Sequence, residues 1–81
     1  MDRIENMNAF VRVVEAGSIS AAADRMDLAK SVVSRRLKEL EQHLGAELFH
    51  RTTRQMNLTD TGRTFYHQSV RILEDILEAE R

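Results

Sequence analysis

Cysteine is absent from this 81-residue chain, which excludes a disulfide framework and any thiolate metal site. The three histidines, His43, His50 and His67, lack a spacing such as i and i+4 that would set two imidazoles on one metal, so neither metal nor other cofactor is expected. No long apolar run is present, and Met1 is followed by the charged Asp2, Arg3 and Glu5 rather than by the apolar core of a signal segment. A soluble cytoplasmic protein is the expectation. Also missing are a glycine-rich phosphate loop, an acid and base at useful spacing and a nucleophile with a base beside it, so catalysis is not expected. A chain this short forms one domain whose core is only marginally stable, and a partner chain could supply further support.

An overall excess of positive charge is lacking too. The formal net charge is −1 and the pI about 6.3, which by itself argues against a nucleic-acid binder. The distribution reverses that argument. Residues 1 to 29 carry Arg3, Arg12 and Arg25 against Asp2, Glu5, Glu15, Asp24 and Asp27, and residues 64 to 81 carry Arg71 and Arg81 against Glu74, Asp75, Glu78 and Glu80. Between them Lys30, Arg35, Arg36, Lys38, Arg51, Arg54 and Arg63 face only Glu39, Glu41, Glu47 and Asp60. A local basic surface on a nearly neutral whole is compatible with selective rather than indiscriminate binding.

The stretch Ala29 to Leu44 organises the chain. On a helix, Val33, Leu37, Leu40 and Leu44 fall on one narrow face, and Ser31, Arg35, Lys38 and Gln42 fall on the opposite one. Lys30, Ser31, Val32, Ser34, Arg35, Arg36 and Lys38 precede the first carboxylate, Glu39, so the first two turns display cations and hydrogen-bond donors suited to a nucleic-acid groove. Alone, the segment would pass for an ordinary amphipathic surface helix. Its neighbours point further.

Ile4, Met7, Phe10, Val11 and Val14 mark a first helix, which Gly17 stops. Ser18 or Ser20 then caps a short second helix, where Ala21, Ala22 and Ala23 allow close packing and Met26 continues the buried side. Asp27-Leu28-Ala29 leaves room only for a tight turn with Leu28 inward, so helix, brief turn and helix follow in the order of a helix-turn-helix. Beyond Gly45, the runs Leu48 to Arg51 and Met56 to Thr59 read as a two-stranded hairpin, a wing whose tip is Thr52, Thr53, Arg54 and Gln55. The alternative is a mere connector, yet Thr52, Thr53, Arg54 and Gln55, with Arg51 at the base, have the side chains that bond phosphate oxygens.

Thr59 caps the last helix, with Asp60 in its first turn. Two apolar tracks run along it: Phe65, Ile72, Ile76 and Ala79, and Tyr66, Val70, Leu73 and Leu77. Together they are wider than the stripe one small domain needs, so the second track is assigned to a second copy of the chain. No glycine, proline or asparagine stops the pattern before Arg81, and the natural helix is expected to continue. The fold class is therefore mainly α, a winged helix-turn-helix of three helices plus a two-stranded wing over residues 1 to 59, followed by a linker and dimerisation helix over residues 60 to 81.

From about Ile4 to Ala79 the chain resembles the N-terminal DNA-binding domain and linker helix of a LysR-type transcriptional regulator. The resemblance rests on Phe10 and Val14-Glu15-Ala16-Gly17-Ser18 before Ala22-Ala23, on Val33-Ser34-Arg35, Leu40-Glu41, Leu44-Gly45 and Leu48-Phe49, and on Arg51, Arg54, Leu58-Thr59 and Gly62. It implies sequence-specific binding of double-stranded DNA, with the long helix in the major groove and the wing on flanking backbone or minor groove. It also implies a homodimer joined by linker helices and a small-molecule effector bound by a C-terminal domain absent here, and a two-fold dimer would in turn read an inverted-repeat operator. The DNA-binding residues are then Lys30, Ser31, Val32, Ser34, Arg35, Lys38, Arg51, Thr53 and Arg54. Where many relatives carry glutamine this chain has Lys30, which cannot make glutamine's bidentate bond to adenine, so that base preference does not carry over. The competing function is a winged-helix protein-interaction module, against which cations on both helix and wing argue.

Overall fold

The computed structural model describes residues 2–50 and 56–81. Four helices and one short antiparallel hairpin follow in order: α1 Arg3–Ala16, α2 Ile19–Met26, α3 Lys30–Leu44, β1 Phe49–His50, β2 Asn57–Leu58 and α4 Asp60–Ala79. Local chemistry sets most of these boundaries. The Asp2 carboxylate accepts from the Ile4 and Glu5 N–H groups at 2.9 and 3.1 Å, satisfying donors that the first turn of α1 would otherwise leave open. Ser18, not Ser20, caps α2 by accepting from the Ala21 N–H at 3.0 Å. Thr59 caps α4 through the Gly62 N–H at 2.9 Å, and its hydroxyl donates to the Glu47 carbonyl at 2.7 Å.

The core forms where α1, α2 and α3 meet, with Phe10, Val11, Val13, Ala22, Ala23, Val33, Leu37, Leu40, Leu48 and Phe49 all buried. Phe10 is its aromatic centre, meeting Phe49 edge-on at 5.5 Å between centroids, Phe65 at 5.6 Å and Tyr66 at 6.4 Å. The buried residues of α1 are Asn6, Ala9, Phe10, Val11 and Val13. They differ from the stripe read from apolar spacing, because Val14 is only partly buried and Ile4 is 44% exposed. A polar residue inside the true stripe shifted that reading by a fraction of a turn.

The wing root pairs Phe49 with Leu58 and His50 with Asn57. It is shorter than the expected strands: Leu48, Met56 and Thr59 lie outside the paired segments, and residues 51–55 lie outside the described ones. Leu48 is buried, its N–H bonded to the Glu41 carboxylate and its carbonyl accepting from Thr59 N–H at 3.0 Å. Gly62 comes so close to that carbonyl that a Cβ would overlap it, so only glycine lets α4 start against the wing root.

Along α4, Phe65, Tyr66, Val70 and Leu73 pack on the chain's own core. The two tracks are therefore not divided cleanly between the chain's own core and solvent. Three residues of the track assigned to a partner already have intramolecular neighbours, because the helix lies across α1 with both tracks flanking the contact. Leu77, at 57% exposed, and Ile72, at 42%, are the larger apolar side chains it leaves to solvent.

Candidate nucleic-acid interface

The second helix of the pair is aimed by the turn before it. Asp27 takes the left-handed conformation at φ 57°, and the Leu28 N–H returns to the Ala23 carbonyl at 2.9 Å. Leu28 turns inward onto the core, as expected from its position, and α3 begins two residues later. Burial of Val33, Leu37 and Leu40 then fixes the rotation of α3 about its own axis. Leu44, expected on the same face, is 39% exposed because the helix runs past the edge of the core there.

With that face fixed, Lys30, Ser31, Arg35, Lys38 and Gln42 are exposed, and Val32 and Ser34 are half-buried at the flank. The Arg35 side chain retains 65% of its accessible surface, with a single ion-pair contact among the described residues, Nε to Glu39 Oε1 at 3.7 Å. Arg36, one residue on, is turned back toward α1. Its side chain is 20% exposed and lies 3.4 Å from the Glu5 carboxylate, so it ties two helices together rather than adding to the display. Among the described residues no side chain caps α3, whose cap position is Ala29, and no acidic residue stands in its first turn. The first N–H groups of α3 consequently remain unpaired by side chains at the end with the positive dipole.

The other end is bound to the wing. Glu41 accepts from the N–H of Leu48 at 2.7 Å and more weakly from that of Phe49 at 3.5 Å. A carboxylate that accepts backbone N–H bonds makes a stronger tie than a neutral group would. Helix and wing root are thereby held in one orientation. Arg51, Thr53 and Arg54, expected at the wing, lie outside the described residues. Sequence reasoning gave no structural role to Asn6, Glu39 or Gly62. The spacing Asn6, Phe10, Val13 was the available signal for the first, since an asparagine on an apolar stripe must find a partner.

Comparison with known proteins meets this geometry from two sides. Residues 4–63 match the family model described as bacterial regulatory helix-turn-helix protein, lysR family. Over 76 residues the chain is 46% identical to the HTH-type transcriptional regulator CrgA of Neisseria meningitidis, covering 94% of this chain and 25% of that protein. The HTH-type transcriptional activator AaeR of Escherichia coli is 37% identical, again over 94% of this chain and 25% of that one. The chain thus spans about a quarter of the length of the curated relatives it matches. In three dimensions it is similar to the BenM DBD in its complex with catB site 1 DNA, with a TM-score of 0.91 at 32% identity, covering 98% of this chain and 87% of that one. Helix, turn, uncapped cationic helix and wing root stand in one order in sequence and space, and the chain belongs to the lysR family of bacterial regulatory helix-turn-helix proteins, whose winged DNA-binding domain it contains.

Proposed function

We propose that this chain is the specific double-stranded DNA reader of a dimeric transcriptional regulator, with α3 in the major groove and the wing on flanking backbone or minor groove. The observation that carries the reading is the first half of α3. It is uncapped, bears no carboxylate before Glu39 and exposes Lys30, Ser31, Arg35 and Lys38 on one side. Open N–H groups and cations suit phosphate oxygens, and an arginine that reaches past them suits the two acceptors of guanine. Arg35 is the principal base reader. Lys30, Ser31, Val32, Ser34 and Lys38 set the position of the helix against backbone and base edges, and Arg51, Thr53 and Arg54 do so from the wing.

Dimerisation is part of the same reading. A groove of about 390 Å³ between α1 and α4 is lined by Ile4, Leu73, Ile76 and the exposed Leu77, with Arg12 and Glu80 among its polar residues. A second copy seated there through α4 would set two recognition helices for an inverted repeat, each raising the effective concentration of the other. A small-molecule effector belongs to the remaining length of such a regulator, which works in the cytoplasm where the chromosome lies. Selection of bound duplexes from a random pool tests the whole reading. The expected product is an inverted repeat with guanine in each half, whereas recovery of unenriched sequence would overturn it.

A further inference from the structure

A polar cleft between α1 and α3 is lined by Asp2, Glu5, Asn6, Arg35, Arg36 and Glu39. At its floor lies Asn6, only 2% exposed although fully polar, and its Nδ2 donates to Glu39 Oε2 at 3.4 Å. The other oxygen of that carboxylate, Oε1, is the one 3.7 Å from Arg35 Nε. A line therefore runs from a buried amide on α1, through a carboxylate one-third exposed, to the guanidinium that points into solvent. Arg36, which lines the same cleft, pairs instead with Glu5 at 3.4 Å.

Helix stability is a poor account of this arrangement. The cation precedes the anion by four residues, which is the weaker order for an ion pair on a helix. A carboxylate amid the cationic display also weakens attraction to phosphate. Two geometric consequences count on the other side. Side chains on a helix lean toward its N-terminus, so Glu39 reaches back to Arg35, and Asn6 keeps it there. The contact uses Nε, leaving the Nη1 and Nη2 edge of the guanidinium without a partner among the described residues, and that edge is the fork that chelates guanine.

We infer that Glu39, anchored by Asn6, is a positioning residue that holds Arg35 with its Nη edge toward the bases and away from the phosphate backbone. An untethered exposed arginine spreads over many rotamers, and the nearest phosphate attracts it whatever the sequence. The Glu39 carboxylate restricts that spread and repels phosphate from the flank it occupies. Selectivity gains at the expense of general affinity. The inference rests on Arg35 reading a base, and the test separates the two.

Binding of this chain is measured to a duplex selected from a random pool, to the same duplex with the guanine pair changed, and to random duplex. Arg35→Ala should reduce discrimination at that pair by about tenfold. Glu39→Gln, which keeps shape and removes charge, should tighten random binding and reduce discrimination by about two- to fivefold, the modest scale of a part-exposed ion pair. In the Arg35→Ala background, Glu39→Gln should leave discrimination where it is, since no arginine remains to be positioned. Asn6→Ala should move discrimination in the direction of Glu39→Gln, and Glu39→Gln carries the test alone if loss of the buried amide unfolds the domain. Unchanged discrimination in Glu39→Gln beside a loss in Arg35→Ala would overturn the positioning role and leave base reading intact. Unchanged discrimination in Arg35→Ala would overturn both.

Discussion

The two ends of α3 treat the same backbone problem in opposite ways. At the C-terminal end Gly45 takes φ 66° and its N–H returns to the Glu41 carbonyl at 2.8 Å, while the Glu41 side chain accepts from Leu48 and Phe49. Polar groups there are consumed within the fold. At the N-terminal end no side chain caps the helix, although Asp2, Ser18 and Thr59 cap α1, α2 and α4. Among the described residues, the one helix start without a side-chain cap is that of the helix with exposed Lys30, Ser31 and Arg35. A cap would add stability, and its absence leaves the first turn of α3 without a side-chain acceptor among the described residues, although the Val32 N–H reaches the Ala29 carbonyl at 3.0 Å. One end of the helix is tied into the fold, and the other is left open in the way the proposed DNA contact requires.

The largest way to break this comparison is to remove what both ends depend on. Leu37 is 1% exposed at the middle of the buried face, and Leu37→Ala should lower stability by about 2–5 kcal/mol, measured by urea unfolding. Loss of that size would remove most of the fold of so small a domain. Next, Glu41→Ala strips the acceptor from the N–H of buried Leu48 and should cost about 1–3 kcal/mol. Amide exchange at Leu48 should accelerate well beyond that at Phe10, which reports the wing root rather than the core.

Changes at the other end should touch binding and spare the fold. Arg35→Ala should cost roughly 1–3 kcal/mol on the selected duplex with an unshifted thermal midpoint, because its side chain is 65% exposed. The smallest effect is the most pointed. Ala29 already has the extended conformation of a cap residue, at φ −68° and ψ 145°, so Ala29→Ser should raise stability by about 0.5–1 kcal/mol. The same change should weaken DNA binding, since the new hydroxyl takes an N–H group that phosphate would otherwise use. A gain in both stability and affinity would show that the open end has no part in binding.

Much of this was legible in the residues. The break at Gly17, the short alanine-rich helix, the tight turn and the 3.6-residue spacing of Val33, Leu37 and Leu40 are local signals, and each corresponds to an element in space. What stayed illegible depends on neighbours distant in sequence. The pairing of Arg36 with Glu5 turns one cation of the display inward, and nothing at either position alone indicates it. Asn6 and Glu39, 33 residues apart, belong to the same class. Tyr66, Val70 and Leu73 could not be divided between own core and partner from periodicity, because both tracks are apolar and only the path of α4 across α1 decides which is covered. Gly62 enters the sequence reading only as part of the family pattern, and its packing reason shows when the Leu48 carbonyl is placed against it.

The most direct test of the binding assignment is the salt dependence of association with duplex DNA. The logarithm of the binding constant for a selected duplex should fall linearly with the logarithm of salt concentration, with a slope of about −0.9 for each phosphate contacted. At every salt concentration the selected duplex should bind more tightly than a random one, and Arg54→Ala should shorten the slope by about one unit. A flat salt response, or equal binding of selected and random duplex, would contradict the account.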